Sequence, residues 1–168
     1  VSAKGNREKD YFVTREEADA VLKACPDAQW QLMFALSRFG GLRCPSEHLL
    51  LCWGHIDWKN KRITVHSPKT EHHEGKAIRM IPLFPELVPY LEAVRDDLFA
   101  SDFDPKETRI SEQPVITRWR DSEANLRTRM HEIIRAAGLE PWPKVFQALR
   151  STRRTELQEY FPDYVLNA

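Results

Sequence analysis

The chain reads as an α+β domain, mostly helical, with one small three-stranded antiparallel sheet. Three observations lead there. Apolar residues recur at helical spacing through most of the chain, as in Trp30, Met33, Phe34 and Leu36, or Leu126, Met130, Ile133 and Ile134. A single interval, Ile56 to Ile81, changes to the period of two that strands require. Finally, 168 residues with 42% hydrophobic and 30% charged content suffice for one domain with a substantial core and are short for two.

Taken in order, Val1 to Asp10 is polar and reads as a frayed arm or linker remnant, so residues 1–13 stand apart from a single domain over 14–168. Thr14-Arg15-Glu16-Glu17 has the form of a capping box, and Ala18, Val21 and Leu22 behind it predict a helix from about Thr14 to Cys25. Pro26 or Asp27 restarts the chain. Trp30 to Phe39 then forms the most apolar helix, expected at the centre of the core and ended by Gly40-Gly41. A short helix follows Pro45 and carries Leu49, Leu50 and Leu51. Ile56-Asp57-Trp58, a Lys59-Asn60-Lys61 turn and Arg62-Ile63-Thr64-Val65-His66 alternate as a hairpin does, and Ala77 to Ile81 alternates again, giving three strands. Leu87, Leu91, Val94 and Leu98 mark a helix after the prolines at 82, 85 and 89. Ser101 to Gln113 is the longest polar loop. Asp121 or Ser122 should cap the helix of Leu126 to Ile134, closed by Gly138. A last helix runs from about Lys144 to Tyr160, where Pro162 stops it.

Formal charge is zero, so no global field attracts nucleic acid or an anionic membrane. The charge is nevertheless segregated. Lys59 to Arg79 holds six bases against Glu71 and Glu74, Glu86 to Glu112 holds eight acids against three bases, and arginines return between Arg118 and Arg154. That pattern permits one basic face. Cys25, Cys44 and Cys52 are odd in number and lack CxxC spacing, which suggests neither a disulfide framework nor a zinc knuckle and favours a reducing cytoplasm. No apolar run is long enough to span a membrane. His72-His73-Glu74 is a poor metal motif, because adjacent histidines in a loop point apart and lack the i, i+4 spacing of a helical zinc site. Most tryptophans read as core; Trp119, between Arg118 and Arg120, stays open as a base-stacking residue.

The most informative stretch is Phe39-Gly40-Gly41-Leu42-Arg43-Cys44-Pro45-Ser46-Glu47. Two glycines let the backbone turn before Arg43, and Glu47, four residues on, is placed to aim its guanidinium. Alone, the pair reads first as a structural ion pair at a helix start.

Gly41-Leu42-Arg43 with Glu47, then Lys69 in the connection between the second and third strands, then a helical Leu149-Arg150, resembles the catalytic domain of the tyrosine recombinases, the phage-integrase family. Trp53-Gly54-His55-Ile56-Asp57-Trp58, Lys69-Thr70 and Ile81-Pro82-Leu83 add to the resemblance, which covers about Thr14 to Ala168. It implies site-specific recombination of double-stranded DNA, as in integration and excision, by transesterification through a 3′-phosphotyrosyl link. Arg43 and Arg150 would grip the non-bridging oxygens of the scissile phosphate, where charge develops, with Glu47 orienting Arg43. Lys69 would protonate the leaving oxygen, which an arginine does poorly. Thr70, Lys76, Arg79, Arg153 and Arg154 would contact backbone phosphates. Such chemistry needs no metal and no cofactor, and the intact protein would assemble as a homo-oligomer on DNA.

Two departures from the family pattern stand out. Gln147 occupies the position of a histidine in the family's His-x-x-Arg motif; it hydrogen-bonds but does not titrate. The glycine-histidine motif and nucleophilic tyrosine expected after Arg150 are not found before Ala168, since Tyr160 and Tyr164 come too early, so the sequence reads as a catalytic domain incomplete at its C-terminus. Two other readings stay open: a non-catalytic DNA-binding module derived from a recombinase, and an α/β interaction domain whose arginines are structural. Type IB topoisomerases share the arginine, lysine and tyrosine chemistry.

Overall fold

The computed structural model describes residues 11–68, 75, 77–101, 109–121 and 125–166. Residues 1–10 of the predicted arm, the residues Lys69, Thr70 and Lys76, and the His72-His73-Glu74 motif lie outside the described residues; the rest of the predicted arm, residues 11–13, packs on the domain instead, with Val13 fully buried and its N–H donating to Thr152 Oγ1 at 3.0 Å.

Helix α1 spans Arg15–Ala24. The predicted capping box is formed at its start: Thr14 Oγ1 accepts from Glu17 N at 3.2 Å, and Glu17 Oε2 accepts from Thr14 N at 2.9 Å. Helix α2 spans Ala28–Arg38, capped by Asp27, whose Oδ1 accepts from Trp30 N at 3.0 Å. It is the core element expected from its composition, with Leu32, Met33, Phe34, Ala35 and Leu36 all fully buried. Burial of each large side chain of this kind contributes roughly 1.5–3 kcal/mol. The helix packs on α1, on α4 (Val88–Ala100) and on α6 (Val145–Gln158). Helix α5, Leu126–Ala136, closes the bundle against α1 and α6.

The two glycines after α2 act differently. A Cβ on Gly40 would lie 2.7 Å from the Leu36 carbonyl oxygen, so close approach demands glycine there. Gly41 has φ of +70° and open space around it, so its requirement is conformational. The Cys44–Pro45 peptide is cis, and Pro45 sits at the N-cap of α3, Ser46–Leu50, rather than inside its first turn.

Three strands follow: β1 (Ile56–Asp57), β2 (Arg62–His66) and β3 (Ile78–Pro82), in spatial order β1-β2-β3 and antiparallel throughout. Trp58 belongs to the turn rather than to β1; Asp57 holds that turn by accepting from Asn60 N at 2.9 Å. The register pairs Ile63 with Ile81 and Val65 with Arg79. Side chains alternate along a strand, so Arg79 shares the inward face with Ile63, Val65 and Ile81, while Ile78 and Met80 are 52% and 63% exposed.

Three expectations change at element ends. Asn125, not Asp121 or Ser122, caps α5, its Oδ1 accepting from Thr128 N at 3.1 Å. Helix α6 stops at Gln158, and Tyr160 lies in the turn that follows, where its N–H reaches the Leu157 carbonyl. Pro162, expected only as a stop, is followed by a further one-turn helix, α7, Asp163–Leu166; a proline just ahead of a helix suits the fixed φ of its ring.

Candidate functional site

Glu47, in the first turn of α3, has a side chain with 0% exposure and gathers donors from the turn before α3, the end of β2 and β3. Its Oε1 accepts from Arg43 Nη1 at 2.9 Å and from Ser67 Oγ at 2.6 Å, and its Oε2 accepts from the Arg43 backbone N at 2.8 Å. Arg79 grips both carboxylate oxygens through Nη1 and Nη2, the latter at 2.8 Å. Burial pushes the Glu47 carboxyl up, but the hydrogen bonds from Arg79, Ser67 and the Arg43 backbone outweigh it and hold the pKa at about 2.

Arg150 arrives from α6. Its Nε donates to the Gly41 carbonyl at 2.9 Å, so the turn that carries Arg43 also orients the second arginine. Burial, and then the nearby Arg43 charge, lower the Arg150 pKa to about 10, which leaves it cationic at neutral pH. Arg43, Arg79 and Arg150 against Glu47 give this cluster a net charge of two positive. The Arg43 and Arg79 side chains are 29% and 23% exposed, so the guanidinium groups are fixed by Glu47 and still reach solvent. Such an array is built to receive an oxyanion with several oxygens.

The other candidates distribute as follows. Gln147 is exposed on α6, one turn before Arg150, and Arg154 is exposed one turn beyond it, close enough for its charge to act on Arg150. Arg153, read from the sequence as a phosphate contact, points elsewhere: its side chain is 6% exposed, its Nη1 lies 3.4 Å from Glu86 and 3.2 Å from Glu156, and its guanidinium covers the Phe84 ring at 4.2 Å. It belongs to a second ionic cluster, in which fully buried Arg38 donates to Glu156 at 2.7 and 3.0 Å. Tyr160 lines a cleft of about 460 Å³ beside Arg15, Phe84, Glu86 and Arg153, on that second cluster rather than at Arg150. Trp119 packs at 4.4 Å on Trp30, while Arg118 pairs with Asp27 at 2.7 Å. Ser67, Arg38 and Glu156 escaped the sequence reading; an arginine inside so apolar a helix as α2 was the one visible hint of a buried partner.

Directly behind Glu47, His48 is fully buried. Burial lowers its pKa to about 3, which the Glu47 charge only partly opposes. A folded pKa below the unfolded value means that the unfolded chain takes up a proton first as pH falls, so His48 costs stability below about pH 6.5. His55 and His131 are also lowered, mainly by burial, and act in the same sense. Glu47 adds its own loss as pH drops from its ordinary value toward about 2. Urea titrations from pH 7 to 4.5 should therefore show stability falling, with His48 contributing a slope of up to about 1.4 kcal/mol per pH unit. His48→Gln should remove that contribution; an unchanged slope would show that His48 is not the titrating group.

No family model matches the chain, and no curated protein matches it. Among solved structures, the crystal structure of XerA recombinase superposes with a TM-score of 0.66 and 18% identity over 88% of this chain. The chain spans about half, 49%, of that protein's length. At that identity the likeness speaks for the fold alone: the chain shares the α+β architecture of the part of that structure it matches.

Proposed function

We propose that Arg43, Arg79 and Arg150 form the scissile-phosphate site of a DNA strand-exchange enzyme, a tyrosine recombinase. Transesterification would run through a 3′-phosphotyrosyl intermediate. The observation that carries this reading is the convergence on one carboxylate and one carbonyl of arginines drawn from the turn before α3, from β3 and from α6, within a recombinase fold. Arg43 and Arg150 hold the non-bridging oxygens as charge develops on them, and Glu47 fixes Arg43 without neutralising the whole cluster. Lys69 is assigned the leaving-group proton, and Gln147 a hydrogen bond to the phosphate without proton transfer. Lys76, Thr70 and Arg154 contact flanking phosphates, whereas Arg79 acts with Glu47. The nucleophile is assigned to neither Tyr160 nor Tyr164. Double-stranded DNA is the partner, assembly on it is homo-oligomeric, and the setting is cytoplasmic. Among the described residues no helix is long and apolar enough to cross a membrane.

Fluorescence anisotropy on duplex DNA tests the reading. Affinity should fall steeply with added salt, because phosphate contacts release counterions. Arg43→Ala and Arg150→Ala should each weaken binding by about tenfold or more at low salt. Undetectable binding at low salt, or unchanged affinity in the double variant, would reject the DNA site and leave the arginines a structural role. A covalent protein–DNA adduct lost on Tyr160→Phe or Tyr164→Phe would move the nucleophile to that residue. Gln147 in place of a titrating group supports a second reading, a DNA-binding module without cleavage; binding that needs Arg43 and Arg150, in an intact protein that forms no adduct, would select it.

A further inference from the structure

Strand β3 is the last of the sheet, so one of its edges has no neighbouring strand. Beyond the two ends of its pairing with β2, Ser67 N–H donates to the Ala77 carbonyl and Leu83 N–H to the Lys61 carbonyl, both at 2.8 Å. Antiparallel pairs alternate between bonded and unbonded, so the odd-numbered residues of β3 bond to β2. The N–H and C=O groups of Ile78 and Met80 therefore point out of the sheet, and among the described residues nothing bonds to them.

The side chains along this edge are of two kinds. Ile78 and Met80 stand exposed on the outer face of the sheet. At the far end, Met80, Ile81 and Pro82 adjoin Asn60, Lys61 and Arg62 in a shallow cleft of about 290 Å³. Lys59, Lys61 and Arg62 are all exposed there, and Asp57 offsets one of them, which leaves a net charge of two positive. Open edges are commonly blunted by charged side chains or proline. Pro82 does this only at the last residue of β3, and the side chains beside the open N–H groups are apolar.

We propose that the β3 edge is a docking site for an extended segment of a partner protein, apolar where it passes Ile78 and Met80 and acidic where it reaches Lys61 and Arg62. Main-chain bonds to Ile78 and Met80 add the segment as a fourth, antiparallel strand, and its alternate side chains cover the two apolar residues. The positive cleft selects a carboxylate at the position opposite Pro82. Two other occupants fit less well. A nucleic-acid backbone offers phosphates to a protein edge and leaves Ile78 and Met80 uncovered. A second copy paired edge to edge, with Ile78 opposite Met80, sets Arg79 opposite its own equivalent, and like charges so placed destabilise. None of Lys61, Arg62, Ile78 and Met80 belongs to the arginine cluster on Glu47, so the proposal does not depend on the DNA reading.

A labelled seven-residue peptide tests it, with threonine at the odd positions and glutamate, valine and valine at the even ones, titrated against the full chain by fluorescence anisotropy. A second peptide carries lysine in place of the glutamate. The acidic peptide should bind about threefold or more tightly than the basic one, and at saturation it should slow amide hydrogen exchange at Ile78 and Met80. Met80→Pro removes an outward N–H without breaking a bond to β2 and should weaken binding by about tenfold or more. The double variant Lys61→Glu, Arg62→Glu should reverse the preference in favour of the basic peptide, a result that misfolding does not produce. Binding of neither peptide, equal binding of both, or protection confined to residues outside β3 would overturn the proposal. So would a dimer in sedimentation that Met80→Pro dissociates, which gives the edge to a second copy. Loss of duplex DNA affinity in the double variant Ile78→Ser, Met80→Ser would likewise overturn it, in favour of nucleic acid.

Discussion

Glu47→Ala should lower folding stability by about 3–5 kcal/mol, the loss typical of removing one partner from a buried ion pair. The carboxylate is enclosed and receives bonds from Arg43, Arg79 and Ser67, so alanine strands donors on three residues at once. Glu47→Gln separates charge from shape. The amide retains an acceptor oxygen, but its NH₂ faces arginine donors where a second acceptor stood, so the loss should be smaller than for alanine without vanishing. Urea denaturation of the three proteins measures both differences. If alanine costs under about 1 kcal/mol, Glu47 is not the buried hub described above. The folded fraction of either variant should also lose affinity for duplex DNA, because Arg43 and Arg79 are aimed by this one carboxylate.

Glu156→Ala should be comparably destabilising, again by about 3–5 kcal/mol, for a different reason and with a different signature. Arg38 has a side chain with 0% exposure and meets Glu156 bidentately, so without the carboxylate its charge is left in the interior. Arg153 and Arg15 lose a partner in the same change, although Arg15, 53% exposed, is stabilised little by it. The volume-matched double variant Arg38→Met, Glu156→Leu should recover much of the loss, since a buried ion pair is often replaceable by apolar packing. DNA affinity of the folded Glu156→Ala protein should stay close to that of the parent, because this cluster is built on Glu86 and Glu156 rather than on Glu47. A double variant as unstable as the single one would mean that the pair is needed for more than charge balance.

The elements legible in the sequence were those whose cues are local. The Thr14 capping box, the apolar run of α2 and the alternation of β2 each show in a few consecutive residues, and each is present in the fold. Arg43 and Glu47 could be paired because one helical turn separates them. Arg79 was harder: alternation from Ala77 to Ile81 says that side chains take turns but not which set faces inward, and apolar Ile78 and Met80 compete with Arg79 for the core side. The buried carboxylate of Glu47, 32 residues away, takes up the arginine, and Ile78 and Met80 are left outside. Arg153 shows the converse, for nothing around it in the helix distinguishes a phosphate contact from a partner of Glu86 and Glu156. Such choices depend on which elements meet, which no window of sequence holds.

The bond from Arg150 to Gly41 ends on a main-chain oxygen. Every amino acid carries that oxygen, so no exchange of side chains at position 41 can delete the acceptor. Heritable variation can reach it only by altering the path of the backbone, where φ of +70° disfavours any residue with a Cβ, typically by about 1–2 kcal/mol. The aim of the second arginine is thereby insulated from most point mutations, and its fragility is concentrated in a single torsion angle.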